Sequence, residues 1–266
     1  MVAESSLDLF YPEDPRSTSK ATWVLDALYQ SHPGSKKHHH VVDPQGTGVV
    51  WGLGQYYHPM VKSWSVKGKP YIFTDMPYWN RWMGDNRNSC HWRIIPNAVH
   101  CNWVIPRPDD RFSKLDINVK DWRSSGDHIL ICPSSHALSL FFDQHIWTQR
   151  TIDMVRKYSK RPIKIRHKPR KGKLSGPRVE DTPFEEDAKG AWAVVTMCSL
   201  TGVEAATMGI PVFCHPASPC APIGNIDLSE IENPKMPDRE AWLNNLAYYQ
   251  YTEDELREGT HRQILI

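Results

Sequence analysis

The apolar positions change period along the chain in a regular way. "LDLFYP" (7–12) reads as a strand and "KATWVLDALYQ" (20–30) as a helix. "TGVVWGLG" (47–54) is a buried strand ending in glycines, "YYHPMVKSWSVKG" (56–68) a helix closed by Gly68, and "KPYIFTD" (69–75) a further strand. That βαβαβ rhythm predicts a parallel sheet covered by helices. The tryptophan-rich stretch from Met76 to Arg111 has no clean period and reads as loop, with a strand near Arg93–Ile95.

A second series follows. Strands are predicted at 127–135, 161–169 (closed by Pro169), 191–198 and 210–215, an amphipathic helix at 141–159, and a short helix in "TGVEAATMG". From "PDRE", with proline and acids suited to a first turn, the chain reads as helix to its C-terminus. The fold class is therefore α/β, in two halves joined near residues 105–125.

Composition fits this picture. Of 266 residues about 40% are apolar and 23% charged, as in a soluble globular protein, and the net charge is only +2. The charge is uneven: residues 156–173 hold ten Lys/Arg and no acid, and "EDTPFEED" follows with five acids. No apolar run approaches the roughly 20 residues of a membrane span, and no secretory signal is visible at the N-terminus. The six cysteines lack CxxC spacing, so buried free thiols in a reducing cytoplasm are expected. His38–His40 read as a solvated loop or strand end.

In such sheets ligands lie beyond the carboxyl ends of the strands. Three of those turns suit an anion. "CSLTGVEAATMG" puts Ser199, Thr201 and Gly202 at a helix N-terminus, where free N–H groups and the dipole favour a phosphate. Glu204 suits either an N-cap box or a ribose diol, and Ala205, Ala206 and Gly209 allow close packing on the sheet. "RHKPRKGK" supplies Arg166, His167, Lys168, Arg170 and Lys171 for a diphosphate. His167 shares a strand face with Ile163 and Ile165 and is expected to point inward. "PSS" adds Ser134 and Ser135.

The pattern strand–"HKP"–strand–"S-x-x-G-x-E-A-x-x-x-G-x-P-V" resembles the donor-binding domain of GT-B glycosyltransferases. The tail from "HPASPCAPIGN" to "ELREG" resembles phage-encoded, DNA-modifying glycosyltransferases and capsule-type sugar transferases. The resemblance covers roughly residues 45–260. It implies two Rossmann-like domains facing a cleft: an acceptor domain at 1–115, a nucleotide-sugar domain at 116–240, and a C-terminal helix at 241–266 packing back on the first. It implies a nucleotide-sugar donor, a UDP-sugar first, and no obligatory metal. By position, Glu204 would hold the ribose, and Ser199, Thr201, Gly202 and Val203 the diphosphate. His167, Lys168 and Arg170 would neutralise the leaving group, and Ser134 and Ser135 would contact phosphate or sugar.

Inverting transfer needs a base beside the attacking hydroxyl. Asp75, at the end of "YIFTD", is the first choice, with His100 and Asp43 next; each also has a purely structural reading. A retaining mechanism would need no base. The phage resemblance suggests double-stranded DNA with hydroxymethylated pyrimidines as acceptor. "YWNRWMGDNRNSCHWR" offers Tyr78, Trp79, Trp82 and Trp92 with Arg81, Arg87 and Arg93 as a phosphate-and-stacking surface, unless those rings fill the core. A saccharide or surface-polymer acceptor, a non-catalytic nucleic-acid-binding protein of the same fold and, more remotely, a sugar epimerase remain as alternatives. The expected place is the cytoplasm, that of an infected host for a phage protein, without a membrane partner.

Overall fold

The computed structural model describes residues 6–12, 19–54, 57–167 and 182–265. The chain runs β1 (Leu7–Phe10), α1 (Ser19–Ser31), β2 (Lys36–His38), β3 (Thr47–Trp51), α2 (Tyr57–Lys67), β4 (Tyr71–Asp75) and β5 (Trp92–Pro96). It continues through β6 (His128–Cys132), α3 (His136–Phe141), α4 (Trp147–Tyr158), β7 (Ile163–Ile165), α5 (Phe184–Asp187) and β8 (Ala191–Thr196). Then come α6 (Thr201–Thr207), β9 (Val212–Cys214), α7 (Glu240–Ala247), β10 (Gln250–Tyr251) and α8 (Glu253–Glu258). Two compact units result: residues 1–101, 106–115 and 243–266 form the first, and 102–105 and 116–242 the second.

The first unit holds one sheet in the order β10-β5-β4-β3-β1-β2. The pairs β1–β2, β1–β3 and β3–β4 are parallel, but the pairs β4–β5 and β5–β10 are antiparallel, so the expected parallel sheet is mixed. The reason lies in residues 76–91, which contain no helix and so turn the chain back without a crossover. Helices cover both faces. Trp64 of α2 lies over Gly48, where a Cβ would come within 2.8 Å of the indole. On the opposite face, Trp23 of α1 meets Trp92, which also touches Trp51. Asp8, inside the all-buried β1, accepts from the N–H groups of Gln45 and Gly46 and from His38 Nε2, which ends β2.

The expected C-terminal helix is interrupted. "AYYQY" pairs with the β5 edge instead, with Ile94 N donating to Tyr249 O at 2.9 Å. A capping box between Thr252 and Glu255 restarts the helix, and Gly259 at φ 80° ends it.

The second unit is a four-stranded sheet, β7-β6-β8-β9, parallel throughout. One face packs Ile129, Ile131, Val195 and Phe213 against Val155 and Ile152 of α4. On the other, α6 approaches so closely that a Cβ on Gly202 would lie 3.1 Å from Thr196 Cγ2 and from Cys220 Sγ. The predicted helix at 141–159 is α4, which starts only at Trp147; a separate short helix, α3, ends at Phe141, and Asp143 between them takes φ 54°. All six cysteines are buried free thiols. Among the described residues no helix is long and apolar enough to cross a membrane.

Candidate functional site

In the second unit the chain leaves β6 toward β7 on one side, then returns to place β8 on the other. The turns after β6 and β8 therefore diverge, opening the crevice in which doubly wound sheets bind ligands. Ser134 stands on the first turn, and Ser199 and Thr201 on the second. A hydrogen bond joins them: Cys198 N donates to Ser134 Oγ at 2.9 Å. Thr196 Oγ1, at the end of β8, donates to Cys132 O and accepts from Ser199 N.

Cys132, the last residue of β6, feels charged and polar groups from the chain just after β7 and from α6. Burial pushes its thiol up to about 12, and the carboxylates of Glu204 and Asp187 push the same way. The Thr201 hydroxyl and the Arg166 guanidinium oppose them. The turns after β6 and β8 thus bring hydroxyls and backbone amides together, and the Arg166 and Glu204 charges are near enough to act on the Cys132 thiol. Arg166 is held there by Asp187 and by Thr182 O.

Several expectations need correction at this turn. The N-cap of α6 is Leu200, with no side-chain cap, so Glu204 lies one residue past the capping-box position. The amides expected to be open are engaged: Thr201 N donates to Ser199 Oγ at 3.3 Å and Gly202 N to Ser199 O at 3.1 Å. The two bonds to hydroxyl acceptors, on the amides of Ser199 and Thr201, are long, and a hydroxyl can rotate away when a stronger anionic acceptor arrives. Ser135 caps α3 through Leu138 N rather than facing the turn of β8. His167 is exposed, and so is Ile165 at the end of β7: the edge strand does not bury the face that the two residues were expected to share. Lys168, Arg170 and Lys171 lie outside the described residues.

In the first unit Asp75 ends β4, and its Oδ2 accepts from Arg93 NH2 at 3.2 Å. Its Oδ1 accepts from Met76 N at 2.7 Å. Arg93 NH1 donates to His100 Nδ1 at 2.9 Å. His100 therefore carries its hydrogen on Nε2 and is no base. Burial, and then the Arg93 charge, hold its pKa well below the usual histidine range. Asp43 is exposed, paired with Lys69, and precedes β3 at the amino end of the sheet, away from the ligand-binding edge. Its pKa is lowered chiefly by that lysine.

The proposed stacking surface is largely interior. Tyr78, Trp79, Trp92 and Arg93 are buried. Tyr78 OH accepts from Cys101 N, and Trp79 packs edge-on against Phe112. Arg87 is locked to Glu253 by two hydrogen bonds and lies over Trp23. Arg81 and Trp82 are half-buried, Trp82 between Trp23 and the Lys20 ammonium. The residue that sequence reasoning missed is Gln250, whose Oε1 accepts from Tyr78 N and Trp79 N at 3.0 and 3.1 Å.

Among the described residues no group of three His, Cys, Asp or Glu side chains could hold a metal ion. Neither a family model nor a curated protein matches the chain. Among solved structures it is similar to KpsC of Thermosulfurimonas dismutans, a beta Kdo 2,7 transferase. The TM-score is 0.49 and the identity 14%, over 96% of this chain and 99% of that one. A likeness at this level carries no argument about activity or substrate.

Proposed function

We propose that the protein is a GT-B-type glycosyltransferase that moves a sugar from a nucleotide-sugar, a UDP-sugar first, to a hydroxyl acceptor. The observation that carries this reading is the joining of the two switch-point turns by Cys198 N and Ser134 Oγ, at a strand end where the Arg166 and Glu204 charges act on Cys132. In the proposed site Glu204 accepts from the ribose diol, while Arg166, Ser134, Ser199 and Thr201 bind the diphosphate. The acceptor hydroxyl's oxygen bonds to the anomeric carbon as its proton passes to a carboxylate, a role we assign to Asp75 of the first unit. The sugar–phosphate bond breaks, and its electron pair leaves on the diphosphate.

A saccharide is the favoured acceptor, because the rings that would stack on an extruded DNA base are packed inside the first unit. One observation favours modified double-stranded DNA as a second reading: Arg150, Arg156, Lys157, Lys160 and Lys164 are exposed in the second unit. The test is incubation with a panel of nucleotide-sugars and, separately, oligosaccharides and plain or hydroxymethylated DNA, read by mass spectrometry. Hexose-sized gain on an oligosaccharide supports the leading reading, and gain on hydroxymethylated DNA alone supports the second. No product and no donor hydrolysis with any pair overturns both.

A further inference from the structure

The register of the first sheet pairs Asp75 with Arg93 across β4–β5, and Arg93 with Gln250 across β5–β10. Directly opposed residues share a face, so the three side chains form one row on one side of the sheet. Arg93 has 2% of its side chain exposed, whereas Asp75 has 35%. The guanidinium is fixed by His100 and by the rings of Tyr78 and Phe73, 5.4 and 5.8 Å from it. Buried and held in this way, it presents NH2 to the one carboxylate oxygen that the Met76 amide does not take. A carboxylate has about four lone-pair sites, so two bonds leave room for a substrate hydroxyl.

Gln250, fully buried, acts one step further along the chain from Asp75. Its Oε1 receives both Tyr78 N and Trp79 N, two amides of the loop that leaves Asp75. No other side chain more than 170 positions away in sequence holds this loop's backbone among the bonds described.

We propose that Arg93 and Gln250 are positioning residues for Asp75, so that strand β10, from the far end of the chain, completes the acceptor-side site. The proposal rests on the reading of Asp75 as the base. Arg93 aims the carboxylate, and Gln250 fixes the backbone that carries it.

The test uses the full chain with four substitutions: Arg93→Lys, Gln250→Met, Gln250→Glu and Asp75→Asn. Amide hydrogen exchange at Tyr78 and Trp79, and the carboxyl 13C resonance of Asp75 assigned through Asp75→Asn, read positioning without turnover. Gln250→Met is expected to speed exchange at both amides by roughly 10- to 100-fold, the cost of one or two lost acceptors, while Gln250→Glu restores protection. Arg93→Lys is expected to move the Asp75 resonance. In the transfer assay both Arg93→Lys and Gln250→Met lower kcat and leave the donor KM unchanged. Unchanged exchange together with an unmoved resonance overturns the proposal. If positioning changes as expected but Asp75→Asn transfers sugar at the normal rate, the reading of Asp75 as base fails while the positioning stands.

Discussion

Arg93, buried to 2% of its side chain, meets Asp75, which is 35% exposed, through a single hydrogen bond of 3.2 Å. The buried cation depends on the open carboxylate for its charge balance. Asp75→Asn keeps the shape and removes the charge. It is expected to lower transfer by roughly 10²–10⁴-fold and to cost about 1–3 kcal/mol in urea unfolding. A variant as stable as the parent would mean that Arg93 does not draw on this carboxylate.

The C-terminal segment is held to the first unit by Arg111. Its guanidinium makes two bonds to Glu255, reaches the carbonyls of Ala247 and Gln250, and lies 4.6 Å from the Tyr251 ring. Arg111→Ala is expected to destabilise by about 2–4 kcal/mol, because the half-buried Glu255 and two carbonyls lose their partner. Hydrogen exchange should then rise first in β10 and α8. Uniform exchange across the unit would contradict a local clamp.

Acid should weaken the same segment. His261 is buried against His32 and Tyr251, and burial, with the His32 and Arg262 charges behind it, lowers its pKa from 6.5 to about 3. Between those values the unfolded chain binds a proton that the folded chain refuses. Stability is therefore full above 6.5 and falls as pH drops toward 3, by at most roughly 1.4 kcal/mol per pH unit. His261→Phe keeps the ring and is expected to flatten that slope in chemical denaturation from pH 7 to pH 4. An identical slope in the variant would assign the acid sensitivity elsewhere.

Gly209 closes α6 at φ 75°, and a Cβ there would lie 1.9 Å from Asp121 O. Gly209→Ala is expected to cost about 2–4 kcal/mol, from the left-handed backbone and the clash together. The readout is thiol labelling of Cys132, Cys198, Cys214 and Cys220, all buried in the second unit. Labelling no faster than in the parent would refute the packing described.

The parts of the fold visible in the sequence are those governed by local periodicity. The apolar runs of β1, β3, β4, β6 and β8 and the glycine ending α2 correspond to elements whose ends lie within three residues of those expected. Pairing was not local, and there the reading failed. Nothing in "WRIIP" says that β5 turns back antiparallel, since that follows from a connection without a helix. "AYYQY" read as helix because tyrosines carry no strong preference against it, yet "TEDE" just after it is the capping box that marked the break. The strand-end rule led to Ser134 and Asp75. It missed that the Arg in "WRIIP" is buried, because β5 belongs to the interior of a sheet closed by a segment far along the chain.

The central claim is that the turns joined by Ser134 and Cys198 bind a nucleotide-sugar. Calorimetric titration of the full chain with UDP, UDP-sugars and the other nucleoside-diphosphate sugars tests it most directly. The account predicts saturable binding of at least one of them, weakened at least roughly tenfold by Glu204→Ala and unaffected by Asp75→Asn. Absence of binding across the panel, or equal binding by Glu204→Ala, would contradict it.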